Sequence, residues 1–453
     1  MKLKPRQELT CSVNEIVAPG TGLVKLDTFP IFISGALPGD KVTIRISKKK
    51  RNYAQGKIIS FIEKSPLRTE TICSNFPECG GCQLIDTKYK KQVELKESVF
   101  SDAVQQFYPE LKPHIKSIIA CEQQTFYRNK MEYSFAHNEE GKVILGLKKR
   151  ATFDQVIELD SCLLQSDISN EIRHFTEAFF TKHKISTWNY HTHEGALRHL
   201  MLRDSKTSQD IMLNLVVSNN DDKVVFQLYS EEIAKAFPLI KSIFLSIQPE
   251  ISDTAKTNES QLLYGNPHLI EILGNLRFKI SPQSFFQTNS LQASVLYETI
   301  VKTAQLTSSD IVLDLYCGTG TIGLYFAKHV KKVIGIEEIP QAIEDAKINA
   351  KLNQISNADF ICGNVKNILK FNTFNVDCII TDPPRSGMSN KAIKRLLELN
   401  AKQIIYVSCN PMTLIRDLKT FNEYGYNIDI IQPVDMFPNT FHIEAIVKCS
   451  KAS

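Results

Sequence analysis

No stretch of the 453-residue chain approaches the apolar length needed to cross a bilayer, and the basic residues near the N-terminus have no apolar run behind them. These absences argue against a membrane-spanning or secreted protein, and a cytoplasmic one is expected. Charge bias is also missing: charged residues are 23% and hydrophobic residues 43%, a balance that excludes a disordered chain and supplies real cores. The 11 cysteines are odd in number and unevenly spaced, which fits reduced thiols or metal ligands better than a disulfide framework. Residues 125–280 show no repeat. The length points to two or three domains, and three are expected.

The net charge of +5 is unevenly placed. Residues 1–60 hold 11 Lys/Arg against 4 Asp/Glu, or +7, leaving −2 for the remainder. A polyanion would meet this segment first, because neutralising phosphates releases condensed counterions. The same segment reads as short strands punctuated by turns at Pro19-Gly20-Thr21-Gly22 and Leu37-Pro38-Gly39-Asp40, which suggests a small closed barrel. Lys48-Lys49-Lys50-Arg51 beside Tyr53 has the composition of a nucleic-acid surface. A cysteine-rich turn and a helix from about Tyr89 to Phe107 follow, then mixed strand and helix. From Ser309 onward apolar strands alternate with helices, the pattern of a doubly wound α/β sheet.

Within that sheet, Ile311 to Leu315 runs into Tyr316-Cys317-Gly318-Thr319-Gly320, a glycine turn that lets backbone approach a ligand at the carboxyl ends of the strands. A second strand ends at Glu337, 17 residues past Gly320, where an acid takes ribose hydroxyls in dinucleotide-type folds. Pro340 suits the first turn of a helix to about Leu352. The glycine spacing also matches nicotinamide enzymes, but the next strand endings argue against that chemistry. They are Asp382-Pro383-Pro384-Arg385 and Ser408-Cys409-Asn410-Pro411, on the same sheet edge because parallel strands share a direction.

In isolation a cysteine such as Cys409 is more commonly a buried structural thiol; as a nucleophile at such an edge it would suit methylation of a pyrimidine at carbon 5. That carbon is a poor nucleophile until a thiolate adds at carbon 6, which splits one hard step into easier ones. A base must then remove the proton from carbon 5. The tail Phe437 to Ala445 offers His442 and Glu444, and strand alternation would put both on one face without separating them. Cys11, Cys121, Cys317, Cys362, Cys378 and Cys449 are read as structural thiols.

Phe286-Gln287, the run from Asp314 to Gly320, Glu337, Asp382 to Arg385, Ser408 to Pro411 and the tail from Phe437 to Glu444 together resemble the bacterial uracil-C5 RNA methyltransferases, over nearly the whole chain. The resemblance implies S-adenosylmethionine as methyl donor, Cys409 as nucleophile and Glu444 as proton acceptor. It implies Gln287, Tyr316, Glu337 and Asp382 as donor-binding residues. Thr321 departs from several relatives, which carry Asn there. The implied organisation is an OB-like TRAM barrel over 1–62, a central α+β iron–sulfur and RNA-binding domain over 63–280, and a Rossmann-like methyltransferase domain over 281–453.

Cys73, Cys79, Cys82 and the distant Cys162 form a four-thiol set that suits either zinc or a [4Fe–4S] cluster, and spacing does not decide. The resemblance points to the cluster, and with it to the branch acting on 23S ribosomal RNA, with transfer RNA as the alternative substrate. Four protein thiolates would fill a cubane, so the role implied is structural or RNA-positioning, not radical chemistry. Because the base must leave its stack, the aromatic and cationic runs Phe126 to Lys130 and Arg198-His199 are candidate RNA contacts. The rival readings are an exocyclic-amine methyltransferase, suggested by Asp-Pro-Pro, and an RNA-binding module without activity. A monomer is expected.

Overall fold

The computed structural model describes residues 3–252, 254–255, 257 and 259–452. The N-terminal unit is a curled six-stranded sheet of β1 (Glu8–Ser12), β2 (Glu15–Val17), β3 (Thr21–Leu26), β4 (Phe29–Ile33), β5 (Lys41–Lys49) and β6 (Ala54–Glu63), in the order β1-β5-β6-β4-β3-β2. In β5 the alternation of Val42, Ile44 and Ile46 with polar neighbours points the aliphatic set inward onto Val13, Ile31 and Ile33. Lys48 to Arg51 stand exposed where β5 turns into β6.

Helix α1 (Tyr89–Phe107) precedes a second sheet built from β7 (Lys130–His137), β8 (Val143–Lys148), β9 (Val156–Ile157), β10 (Leu197–Asp204), β11 (Ile211–Val217), β12 (Ile240–Ile247) and β13 (Gln261–Gly265). Its order is β13-β12-β11-β10-β7-β8-β9, with helices α2 (Asp167–His183) and α3 (Lys223–Ala236) between its strands in the chain. A hairpin of β14 (Leu269–Leu273) and β15 (Leu276–Ile280) leads to α4 (Ser290–Ala304).

The C-terminal sheet contains β16 (Ile311–Leu315), β17 (Lys332–Glu337), β18 (Ala358–Cys362), β19 (Cys378–Thr381), β20 (Gln403–Ser408), β21 (Tyr426–Val434) and β22 (Glu444–Lys451). Helices α5 (Thr321–Ala327), α6 (Pro340–Leu352), α7 (Val365–Phe371), α8 (Asn390–Glu398) and α9 (Pro411–Glu423) connect them. The order β18-β17-β16-β19-β20-β22-β21 reverses between β16 and β19, so the crevice of a doubly wound sheet opens at their carboxyl ends. Only β22 runs against its neighbours β20 and β21. The α/β architecture with an N-terminal OB-like sheet and a Rossmann-like C-terminal domain is as the sequence led us to expect. Strand β18 was missed, because an edge strand with no fully buried residue carries little periodicity.

Two outlying elements complete the C-terminal core. Phe100, Ala103 and Val104 of α1 share a cluster with Leu313, Leu315 and Tyr406, and Leu276 and Phe278 of β15 share another with Val312 and Val333. Among the described residues no helix is long and apolar enough to cross a membrane.

Candidate active site

The carboxyl ends of β16, β17, β19 and β20 carry Tyr316 to Gly320, Glu337, Asp382 and Cys409 along one edge. Tyr316, Gly318 and Gly320 all adopt positive φ, which turns the chain back on itself before α5. A Cβ at Gly320 would lie 3.0 Å from the Phe360 ring and 3.2 Å from Ala346, so both conformation and space call for glycine. Inside the turn the fully buried Asp314 accepts from Gly323 N at 2.9 Å, while its other oxygen has no hydrogen-bond partner. Desolvation, with Asp382 and Glu337 nearby, pushes its carboxyl up to about 8. Thr321, at the start of α5, accepts from Tyr297 Oη at 3.4 Å.

The Glu337 carboxylate ends β17 nearly buried and accepts from three backbone amides, Glu338 N at 2.8 Å, Ile339 N at 3.0 Å and Gly318 N at 3.2 Å. Its orientation toward the glycine turn is thereby set. Gln287 arrives from the loop before α4 and is held by the central domain: Asn129 Nδ2 donates to its carbonyl at 2.9 Å, and Asn129 N donates to Thr288 O at 2.8 Å. Buried Arg203 donates to the carbonyl of Ser284 in the same loop.

Cys409 lies half-buried in the turn between β20 and α9. Asn410 caps α9 by accepting from Met412 N at 3.1 Å, and its Nδ2 donates to Arg385 O at 3.1 Å, which fastens the Asp-Pro-Pro-Arg turn to the cysteine turn. Burial pushes the thiol up to about 11; the carboxylates of Glu444 and Asp382 add to this, and the Arg385 guanidinium opposes it. Glu444 heads β22 beside β20, where Ala445 pairs with Ser408. It is buried, and desolvation together with Asp382 holds its carboxyl well above the usual range. Asp382 is pushed up to about 7 by desolvation. One thiol, two carboxyls and one guanidinium therefore share a single electrostatic neighbourhood.

His442 and Glu444 differ in burial, although the Arg385 guanidinium lies near His442 as well. The strand starts at Glu444, so alternation does not extend to His442, whose ring is exposed against Phe437 at 6.2 Å. The RNA-contact expectation needs correction at Arg198 and His199. Both are buried in β10, and Arg198 spends its guanidinium on the carbonyls of Gln248, Glu250 and Ser252 and on the face of Trp188 at 4.2 Å. Tyr127 and Asn129 are likewise buried and bonded, whereas Arg128 and Lys130 retain partial exposure. Of the six cysteines read as structural, Cys362 is exposed and the other five are buried. Asp314 and Arg385 were read only as parts of motifs, without roles of their own, and Asn129, read as an RNA contact, instead ties Gln287 in place. That contact could not be read from sequence, because the two residues lie 158 positions apart.

The four remaining cysteines come from two loops. Cys82 and Cys162 are buried and Cys73 and Cys79 half-buried. Burial raises the thiols of Cys79, Cys82 and Cys162, and the charges of their fellow cysteines add to this. Asn75 Nδ2 donates to Ser161 O at 3.3 Å, joining the loops, and Gly81 N donates to Cys79 Sγ at 3.3 Å. Arg150 donates to the carbonyls of Cys79 and Cys82. Among the described residues, no group of three or more His, Cys, Asp or Glu stands close enough to hold one metal ion. By its chemistry alone, a four-thiol donor set with an amide donating to sulfur suits either zinc or a [4Fe–4S] cluster.

The sheet order and its acid-tipped edge define an S-adenosylmethionine-dependent methyltransferase. A methyltransferase-domain family model matches residues 306–435, and a TRAM-domain model matches residues 2–59. An uncharacterized RNA methyltransferase of Bacillus cereus is 34% identical over 440 residues, covering 96% of this chain and 95% of that protein. One of Bacteroides thetaiotaomicron is 36% identical over 450 residues, covering 95% and 99%. The solved tRNA (uracil-54, C5)-methyltransferase of Pyrococcus abyssi, in complex with S-adenosyl-L-homocysteine, is 27% identical with a TM-score of 0.78, covering 97% of this chain and 99% of that one. The chain belongs to the RNA methyltransferase family of these relatives and carries an N-terminal TRAM domain.

Proposed function

We propose that the chain methylates carbon 5 of a uridine in structured RNA, with Cys409 as nucleophile and Glu444 as proton acceptor. The observation that carries this reading is the grouping of a thiol with the buried Glu444 carboxyl, the half-buried Asp382 carboxyl and Arg385 at the crevice of a methyltransferase sheet. The thiol proton leaves to solvent, a step favoured by the Arg385 guanidinium. The sulfur pair then forms a bond to carbon 6 while the carbon 5–carbon 6 pair moves into the enolate. Bound S-adenosylmethionine supplies an electrophilic methyl group to carbon 5. Glu444, which must enter this step as the carboxylate, next takes the carbon 5 proton; the released pair restores the double bond and expels the thiolate. Gln287, Tyr316, Glu337 and Asp382 are assigned to holding the donor, with Glu337 on its ribose hydroxyls.

The cleft acids give a test of donor binding. A carboxyl raised in the folded chain keeps its proton at pH values where the unfolded chain has lost it. Its stabilisation is present in acid and fades as pH climbs through about 7 for Asp382 and about 8 for Asp314. The sulfonium of the donor should favour the ionised acids, so its affinity should rise between pH 6 and pH 8, while that of uncharged-sulfur S-adenosylhomocysteine rises less. Calorimetric titration at both pH values checks this. Equal pH dependence for the two ligands would mean that the acids do not face the sulfonium.

For the RNA, the transfer-RNA alternative has the stronger support, because the solved relative acts on tRNA and the curated relatives specify only RNA. The 23S ribosomal expectation rests on the four-cysteine set and the N-terminal barrel. Mapping 5-methyluridine in both RNA pools of a deletion strain decides: loss at a tRNA position is the expected outcome, and loss confined to 23S RNA would reverse the substrate assignment. The four cysteines are assigned to a [4Fe–4S] cluster with a structural role. Protein purified without oxygen should be brown with about four irons per chain, and Cys82→Ser should lose them; colourless protein holding zinc would refute the assignment.

A further inference from the structure

We infer that the connection from β21 to β22, residues 435–443, is a strap that positions Glu444, and that Asn439 is its fixed point. The inference rests on Glu444 being the proton acceptor.

Antiparallel neighbours need only a short turn, and longer connections usually run over the surface. Here the connection is longer and largely buried: Asp435 and Met436 are fully enclosed, and Asn439 and Thr440 nearly so. Its polar groups are bonded by elements outside the C-terminal sheet. Lys96 of α1 pairs with Asp435 at 2.6 Å, both side chains fully buried, and donates to Phe437 O at 3.0 Å. Tyr89 Oη donates to the other Asp435 oxygen at 2.9 Å, and Tyr127 Oη donates to Pro438 O at 2.9 Å.

Asn439 concentrates these ties. Its φ of 67° is left-handed, a conformation asparagine tolerates better than most residues. Its amide donates to Gln92 Oε1 at 2.8 Å, and its Oδ1 accepts from Gln92 Nε2 at 3.0 Å. Its carbonyl accepts from Gln83 N at 2.7 Å and Leu84 N at 3.0 Å, and its Nδ2 donates to Gln124 O at 2.8 Å. Gln83 directly follows Cys82, so the cysteine loop ends on the strap. Two residues beyond Asn439, Phe441 N donates to Gln83 Oε1 at 3.0 Å, and the Phe441 ring occupies the space where a Cβ on Gly20 would lie, 2.1 Å away. The cysteine loop, α1 and the N-terminal sheet thus converge on the peptide that leads into the base. A partly buried polar network of this kind fixes one geometry because leaving any member unpaired is costly. Asn439 and Gln83 are positioning residues: they act on the carbon 5 proton only through the placement of Glu444.

The test uses full-length protein, RNA extracted from a deletion strain, and methyl-labelled S-adenosylmethionine. The readout is labelled protein–RNA adduct resistant to denaturation, beside turnover. A displaced base leaves nucleophilic addition and methyl transfer intact but slows proton removal, so the methylated adduct accumulates. Loss of folding alone produces no adduct. Gln83→Ala removes one strap bond and Asn439→Ala removes several; turnover should fall about tenfold to a hundredfold with the KM for S-adenosylmethionine unchanged, and adduct should rise several-fold. Gln83→Glu, which keeps an acceptor for Phe441 N, should restore turnover. Should Asn439→Ala fail to fold, Gln83→Ala and its rescue carry the test. Wild-type turnover in Gln83→Ala, or lost turnover without adduct, overturns the inference. Glu444→Gln is the control: if that variant accumulates no adduct, the base assignment itself fails and the strap falls with it.

Discussion

Cys409→Ala should abolish turnover, with a loss on the order of 10⁴-fold or more, while S-adenosylmethionine still binds. The thiol is half-buried, and its removal leaves intact the ties that shape the site, Asn410 to Arg385 and the three amides on Glu337. The fold should therefore survive with little change in melting temperature. Cys378→Ala makes the opposite comparison. Its sulfur is fully enclosed in the core beside Val312 and Ile380, so truncation should cost about 1 to 3 kcal/mol of stability and leave the chemistry alone. Equilibrium binding, thermal unfolding and single-turnover methylation of the two variants separate a nucleophile from a packing thiol. An exocyclic-amine methyltransferase would need no thiol, and retained turnover in Cys409→Ala would favour that rival.

Glu444→Gln should be the second large effect, about 10² to 10⁴-fold in turnover, but with a different signature. The amide cannot take the carbon 5 proton, so the methylated adduct should persist. Nucleophilic addition should not suffer, because the Glu444 charge is one of the groups that raise the Cys409 thiol. Stability should move upward in alkaline buffer. Ionised Glu444 is desolvated and faces Asp382, and a carboxyl raised in the folded state costs stability as pH rises through its folded pKa; the neutral amide escapes that cost. Melting temperatures at pH 6 and pH 9 check the sign, and a variant that is destabilised most at pH 9 would contradict it.

Much of the site was legible because its parts sit at strand ends. Glu337, Asp382 and Cys409 each follow a short apolar run, and parallel strands bring such endings to one edge whatever their separation in sequence. Helices α1 and α6 were legible in extent for local reasons, an amphipathic stripe in one and Pro340 at the first turn of the other. What escaped was non-local. Lys96 lies among Leu95, Val99 and Phe100 on α1 and reads as an ordinary helix cation until Asp435 is brought against it from the far end of the chain. Arg198 looked like an RNA contact because composition cannot tell a cation over a nucleobase from one over Trp188 in the same domain. His442 and Glu444 were inseparable by alternation, and only the point at which β22 starts divides them.

Mass spectrometry of the protein incubated with S-adenosylmethionine and RNA transcribed with 5-fluorouridine tests the central claim most directly. Fluorine at carbon 5 cannot leave as the proton does, so the reaction should halt as a covalent species. The account predicts one methylated fluorouridine attached to the peptide containing residue 409. Absence of any adduct, or attachment through another of the 11 cysteines, would contradict it.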